Sequence, residues 1–157
     1  KKAYLHWLEK LLPSLPGHVC PGVHEFIAAL GMLPEPPLIG LLTGNIRQGA
    51  ELKLGHFGLW GCFRFGAFGD DNECRNELAA VAQRRASELA GRHLHGHELL
   101  VIGDTPLDVK CAQAIGARVL GVATGNFGCT DLTECGATWA AEGLDKVIAK
   151  EICCPAA

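Results

Sequence analysis

No hydrophobic run in this 157-residue sequence approaches the roughly 20 apolar residues that a membrane-spanning helix requires. Basic runs are also missing, and the formal net charge is −3, so we expect neither a nucleic acid nor a membrane surface as a partner. No Gly-x-Gly-x-x-Gly motif follows a predicted strand, which disfavours a dinucleotide-binding domain. With 48% hydrophobic and 20% charged residues, the composition is typical of a globular protein.

The eight cysteines include no Cys-x-x-Cys pair, and their spacing follows no regular pattern. Disulfide frameworks belong to small secreted domains, which this chain does not resemble in length or composition. We therefore predict reduced and mostly buried thiols in a cytoplasmic protein.

The first residues have helical periodicity, but they include neither a starting Met nor the apolar core of a signal peptide. Leucines recur on one face of a predicted helix that runs from Lys1 to about Leu15, where Pro13 and Pro16 end it. Because the chain begins inside a predicted element, we interpret the sequence as part of a longer protein.

Short apolar runs alternate with segments of helical periodicity along the rest of the chain. Strands are predicted at 38–42, 62–69, 99–102, 118–122 and 138–140. Helices are predicted at 21–30, 46–54, 75–90 and 106–116, followed by a short helix near residue 130 and a closing helix lined by Leu144, Val147 and Ile148. This alternation predicts an α/β fold with a doubly wound parallel sheet.

Two carboxylates follow the predicted strand at 99–102. Pro106 suits the first position of a new helix, with Asp104 or Thr105 as its N-cap, and Asp108 stands in the first turn. Both acids could simply stabilise the helix N-terminus. Alternatively, carboxylates at the carboxyl end of a strand suit Mg²⁺ that holds a substrate phosphate.

A second polar segment, Thr43-Gly-Asn45, follows the predicted strand at 38–42 and precedes a helix. The turn aims free backbone N–H groups, the Thr43 hydroxyl and the positive end of a helix dipole at one place, which is the outline of an anion site. Taken alone, the segment fits an ordinary capped loop better.

Three histidines, His93, His95 and His97, alternate in the loop before the strand at 99–102. Imidazoles at this spacing could bind a transition metal. No carboxylate or thiolate completes the set, so a polar surface loop is the favoured interpretation.

Thr43-Gly-Asn45 and Gly103-Asp-Thr-Pro-Leu-Asp108, each at a strand end and in this order, resemble motifs two and four of the haloacid dehalogenase superfamily. Within it, the chain is similar to the phosphoglycolate phosphatase-like hydrolases. The helix that starts at Pro21-Gly-Val23, before the first motif, and the segment Ala117-Arg-Val-Leu-Gly-Val122, after the second, extend the likeness over most of the chain.

The resemblance implies phosphoryl transfer through an aspartyl-phosphate intermediate, with Mg²⁺ as cofactor and a small phosphorylated metabolite as substrate. It implies that Thr43 hydrogen-bonds the transferring phosphoryl group, aided by the backbone of Gly44 and Asn45. It also implies that Asp104 helps to hold the metal and that Asp108 supports the site.

The family also uses a basic residue, usually Lys, near the start of the helix before motif four. The candidate here is Arg75, which opens the predicted helix at 75–90; Lys53 is the alternative. A cation, a guanidinium and a hydroxyl can together neutralise the charge of a moving phosphoryl group.

The family's nucleophile is the first Asp of a DxDxT-type motif, on a strand at the centre of the sheet, and this sequence has no such motif. The Asp residues before position 104 are Asp70 and Asp71, which follow Thr43 instead of preceding it. We therefore expect the end of a helical cap at 1–16 and, at 17–157, a haloacid dehalogenase-like Rossmannoid core without its first, central strand. The fragment alone is expected to be inactive.

Two alternatives remain open at this point. A non-catalytic phosphate-binding or interaction module on the same fold would also lack the nucleophile. A dehalogenase or phosphonate hydrolase of the same superfamily is the second alternative, because the cap that selects the substrate is mostly absent from the sequence.

Overall fold

The five strands form two separate parallel sheets, in a computed structural model that describes residues 1–14 and 16–153. The first sheet pairs β1 (Gly40–Leu42) with β2 (Phe65–Ala67), in a register that places Leu41 opposite Gly66. The second has the order β3-β4-β5, formed by Leu100–Gly103, Arg118–Val122 and Trp139–Ala141.

Seven α-helices connect or flank these strands in the described part of the chain: α1 (Lys2–Leu11), α2 (Val23–Gly31), α3 (Arg47–His56), α4 (Arg75–Ala90), α5 (Pro106–Ala114), α6 (Cys129–Glu134) and α7 (Ala149–Cys153). Short 3₁₀ helices lie at Leu12–Ser14, Trp60–Cys62, Gly96–Glu98 and Leu144–Lys146. Among the described residues, no helix combines the length and apolar character that crossing a membrane requires. The predicted end of the first helix, Leu15, is outside the described residues.

The predicted fold class is confirmed: parallel strands alternate with helices, and the described residues provide no strand between β1 and β3. β1 is hydrogen-bonded to β2 and β3 to β4, while no ladder joins β1 to β3 in the described structure. Each of these two strands therefore has one edge without a partner strand. The sheet is divided at the place where the resemblance to the superfamily predicts a missing strand.

Burial differs between β4, which lies inside the second sheet, and the two strands that border the division. In β4, Val119 and Leu120 are each 1% exposed and pack with the helices and strands around them. Ile102 on β3 is 38% exposed, and Leu38 just before β1 is 41% exposed. The prediction of a buried strand at 38–42 is therefore wrong, because a strand with an open edge leaves part of its apolar surface uncovered.

Helices hold the two sheets together. On one face, α4 packs against β1, β2 and α5, and α5 packs in turn against β3 and β4. Elsewhere, Phe26 and Leu30 of α2 form a cluster with Ala149 of α7, against which Ile39 packs. The sheets are therefore joined through side-chain packing and not through backbone hydrogen bonds.

Two local predictions are corrected. The closing helix is α7, whose buried residues are Ala149 and Ile152, while Ile148 precedes it and is 60% exposed. The cysteines are also less buried than predicted. Cys111 is buried, Cys74 is exposed, and the others that the structure describes are intermediate.

Candidate active site

The turn after β3 is built by a reciprocal cap. Thr105 is the N-cap of α5, and Pro106 is the first helical residue, where its missing N–H costs nothing. The N–H and hydroxyl of Thr105 both donate to Asp108 Oδ2, at 3.1 and 2.7 Å. The sequence allows either Asp104 or Thr105 as the N-cap. In the structure Thr105 is the N-cap, and the side chain of Asp104 does not cap the helix.

Both carboxylate oxygens of Asp108 accept hydrogen bonds from neighbouring residues. Its second oxygen, Oδ1, accepts a hydrogen bond from Arg75 Nη1 at 2.6 Å, and its side chain is 14% exposed. Arg75 is the first residue of α4, where the positive end of the helix dipole disfavours a cation. The carboxylate of Asp108 offsets that cost, so the pair fixes a guanidinium beside the turn. The structure thus brings together two of the predicted site residues.

Asp104 has a different environment. It is half-buried in the turn after β3, and it makes no hydrogen bond or ion pair within the described residues. The loop that follows β4 approaches it closely at Gly125. A partly desolvated carboxylate without a partner is costly unless something else binds it. Its oxygens are of the type that Mg²⁺ prefers, and Mg²⁺ is commonly held by one or two carboxylates together with substrate phosphate and water.

The loop after β1 leaves two groups available to an anion. The Thr43 hydroxyl accepts a hydrogen bond from the N–H of Asn45 at 3.1 Å, which keeps the hydroxyl proton free to donate. Gly44 is exposed, and its N–H makes no hydrogen bond within the described residues. Both belong to the set that the sequence predicts for a phosphate; the backbone N–H of Asn45, which is the third predicted group, is engaged with Thr43. No hydrogen bond or ion pair in the described structure joins Thr43 to Arg75 or Asp104.

Sequence reasoning missed how this loop is held in place. The N-cap of α3 is Ile46, whose side chain cannot accept a hydrogen bond. Asp70, from the turn after β2, replaces it by accepting from the N–H of Arg47 at 2.6 Å. In the same turn, the N–H of Gly69 donates to Asn45 O at 2.8 Å. An aliphatic residue at an N-cap position is the signal that could have pointed to a distant cap.

Charge interactions stabilise the same turn. A hydrogen bond from Lys1 and another from the Arg47 N–H hold the pKa of Asp70 below its ordinary value. Asp71 accepts two hydrogen bonds from the Arg85 guanidinium, both at 2.7 Å, and these lower the pKa of its carboxyl. Asp70 and Asp71 are therefore structural acceptors in the turn that precedes α4.

The three histidines lie in the loop between α4 and β3, as predicted. The rings of His93 and His95 are 4.8 Å apart between centroids, and those of His95 and His97 are 5.7 Å apart. In the part of the chain that the structure describes, no three or more His, Cys, Asp or Glu side chains form a group that could hold a metal ion. A cation at Asp104 would consequently need ligands from outside the described residues.

Comparison with known proteins agrees with this geometry. Residues 76–148 match the family model described as "HAD-hyrolase-like". The match begins one residue after Arg75 and includes the rest of α4 and the whole turn after β3. This segment of the chain is similar to haloacid dehalogenase-like hydrolases. No curated protein matches the sequence significantly.

Solved structures of haloacid dehalogenase-like proteins share this fold. A HAD phosphatase from Thermococcus onnurineus has 18% identity and a TM-score of 0.70, covering 95% of this chain and 63% of its own. A variant of CbbY from Rhodobacter sphaeroides, in complex with xylulose-(1,5)-bisphosphate, has 15% identity and a TM-score of 0.73, covering 92% and 63%. A predicted phosphoglycolate phosphatase from Haemophilus somnus has 19% identity and a TM-score of 0.68, covering 82% and 55%.

At sequence identities of 15 to 19%, the similarity to these structures establishes the fold alone. The chain spans about 55 to 63% of the length of these structures. The described residues contain the strand ends that carry Thr43 and Asp104, and they place no strand between β1 and β3.

Proposed function

We propose that this domain provides the phosphate-binding and metal-holding part of a Mg²⁺-dependent phosphatase that acts on a small phosphorylated metabolite. The observation that carries the proposal is the contrast between two carboxylates in one turn. Both oxygens of Asp108 accept hydrogen bonds, while Asp104 is half-buried and has no partner in the described structure. A carboxylate in that condition, at the carboxyl end of a parallel strand, is suited to a hard cation.

Asp104 would hold the Mg²⁺ ion, which supplies charge neutralisation at the phosphoryl oxygens when bound. Thr43 would donate its hydroxyl proton to a phosphoryl oxygen, and the Gly44 N–H would add a second donor. The Asn45 N–H would support them indirectly, because it donates to the Thr43 hydroxyl. Each donor follows the carboxyl end of β1, where backbone groups and the N-terminus of α3 favour an anion.

Arg75 would supply the positive charge that the family usually takes from a lysine. Its guanidinium has five N–H donors and needs only one for Asp108, which leaves others for a phosphoryl oxygen. Asp108 would then act as a positioning residue, because both of its oxygens accept hydrogen bonds, one from Arg75 and the other from Thr105.

The attacking group is not among these 157 residues, since the sequence has no DxDxT-type motif. We propose that an aspartate supplied from outside them attacks phosphorus and displaces the alcohol of the substrate, which takes up a proton as it leaves. Water would then cleave the acyl phosphate, releasing inorganic phosphate and restoring the carboxylate.

The test uses the full-length protein and a panel of phosphate monoesters, including p-nitrophenyl phosphate, with Mg²⁺ or with EDTA. Asp104→Asn is expected to lower Mg²⁺-dependent hydrolysis by about 100-fold or more, because it removes a group that acts on the developing charge. Thr43→Val is expected to impair turnover far more than stability. The matched control is Asp145→Asn, which alters an exposed aspartate paired with Lys146. Unchanged hydrolysis by Asp104→Asn would refute the assignment.

The absence of a nucleophile motif supports one other candidate, a non-catalytic phosphate-binding module. That function predicts inorganic phosphate binding, weakened by Thr43→Val, together with no hydrolysis of any ester by the full-length protein. The same panel of substrates, combined with calorimetric titration of phosphate, separates the two functions.

A further inference from the structure

Asp104 and Gly125 approach each other across the gap between the turn after β3 and the loop after β4. A Cβ atom placed on residue 125 would lie 3.3 Å from Cγ of Asp104 and well inside van der Waals contact with its Oδ2. Weak carbon–oxygen contacts in proteins are no shorter than about 3.3 Å. Any side chain at position 125 therefore forces either the loop or the Asp104 carboxylate to move.

The loop is the stiffer of the two. Its backbone is fixed where it leaves β4, by hydrogen bonds from Ala123 N to Ala141 O at 2.8 Å and from Thr124 N to Val122 O at 2.9 Å. The Asp104 carboxylate is the far end of a rotatable side chain and has no described hydrogen bond to hold it. A side chain at position 125 would therefore displace the Asp104 carboxylate and not the loop.

The backbone conformation of Gly125 does not itself require glycine. Its φ is not among the positive values, which belong to Gly22, Gly58, Gly91, Gly116 and Gly136. An alanine at this position therefore introduces no backbone strain. Glycine at position 125 leaves a space that any side chain would fill, and the carboxylate of Asp104 occupies that space.

We propose that Gly125 is a positioning residue for the cation site: the absence of its side chain lets Asp104 present its carboxylate to a divalent metal ion. The inference rests on the proposed function of Asp104 and adds a residue from a different strand end. Metal–ligand distances tolerate deviations of only about 0.2 Å, so a displacement of Oδ2 large enough to relieve the contact weakens coordination.

The experiment compares Gly125→Ala with Gly128→Ala in the full-length protein. Gly128 lies in the same loop at φ −82, and a Cβ there would meet Asp131 Oδ2 at 3.6 Å, an ordinary contact. Binding of Mn²⁺ alone is measured by electron paramagnetic resonance, and the thermal midpoint by circular dichroism. The Mg²⁺ concentration for half-maximal hydrolysis of p-nitrophenyl phosphate is a third readout.

Gly125→Ala is expected to raise the Kd for Mn²⁺ by about tenfold, as disturbance of groups that orient a metal ligand typically does. The Mg²⁺ requirement should rise in parallel, with activity recovering at high Mg²⁺, while Gly128→Ala changes neither quantity. The thermal midpoints of the two variants should agree, because the carboxylate moves and the fold does not.

Three results would overturn the inference. Wild-type Mn²⁺ affinity in Gly125→Ala, with affinity lost in Asp104→Asn, would leave the proposed function intact and remove Gly125 from it. A thermal midpoint far below that of Gly128→Ala would show that the loop yields instead of the carboxylate. If Asp104→Asn itself binds Mn²⁺ normally, the metal assignment in the proposed function fails, and the role of Gly125 fails with it.

Discussion

The two sheets of this domain differ in how their strands are supported. β4 has a partner strand on each side, and Val119 and Leu120 are almost fully buried. β1 has one partner strand, and it follows an exposed Leu38. The comparison shows that the three-stranded sheet contains most of a packed core, whereas the two-stranded sheet depends on α4 and the helices around it.

The largest expected effect concerns the 157-residue chain expressed alone. The open edges of β1 and β3 leave several backbone groups without partners, and each such group costs about 1–3 kcal/mol where water is excluded. A domain is stable by only about 5–15 kcal/mol. We expect aggregated or molten protein, with weak near-ultraviolet circular dichroism and no Mg²⁺-dependent hydrolysis. A soluble monomer with a sharp thermal transition would contradict the stability prediction, and measurable hydrolysis would contradict the chemical one.

Truncations in the two sheets should differ strongly within the full-length protein. Leu120→Ala removes a side chain that is 1% exposed and is expected to cost about 2–5 kcal/mol in the free energy of unfolding. Leu41→Ala, in β1, removes a half-buried side chain beside an open cleft, and less than half that cost is expected. Equilibrium denaturation in urea measures both variants. Equal losses would mean that β1 is covered as completely as β4 in the longer protein.

Asp108→Asn tests the ion pair between Arg75 of α4, which packs on the first sheet, and the turn after β3 of the second sheet. The substitution removes the charge that faces Arg75 and weakens the cap on α5, and we expect a loss of about 1–3 kcal/mol. Asp104→Asn, four residues earlier, should change stability by less than about 0.5 kcal/mol, because no described bond is lost. The same denaturation experiment checks both variants. A larger loss for Asp104→Asn than for Asp108→Asn would reverse the roles that we assign to the two acids.

The smallest expected effect is at the surface, in the loop that leads into β3. Hydrogen bonds from Arg92 and from the His95 backbone lower the pKa of Glu98 from 4.5 to about 2. A lowered carboxyl pKa stabilises the folded state above pH 4.5, and this contribution is lost as the pH falls towards 2. Arg92→Ala should raise the pKa of Glu98 towards 4.5, as measured by nuclear magnetic resonance titration. It should lower the thermal midpoint only slightly at pH 7, because solvent screens this exposed pair. An unchanged pKa would show that Arg92 does not contact Glu98 in solution.

Local patterns were sufficient for much of the fold. The bounds of β4 and α4 agree with the sequence prediction at 118–122 and 75–90, because a short apolar run and a long periodic segment are each decided by neighbouring residues. Pro106 likewise marks the start of α5 correctly. Burial was less predictable. The apolar run at 38–42 indicates a buried strand, and its exposure follows from an edge that has no partner.

The sequence by itself determined which groups stand at the strand ends: Thr43 after β1, and Asp104 and Asp108 after β3. It could do so because turn residues and caps act over a few positions along the chain. Only the tertiary structure decided what each group is free to do. Arg75 is 33 positions from Asp108 and Gly125 is 21 from Asp104, and these approaches depend on how α4 and the loop after β4 pack. For the same reason, the sequence could not show that both oxygens of Asp108 accept hydrogen bonds while Asp104 has no partner among the described residues.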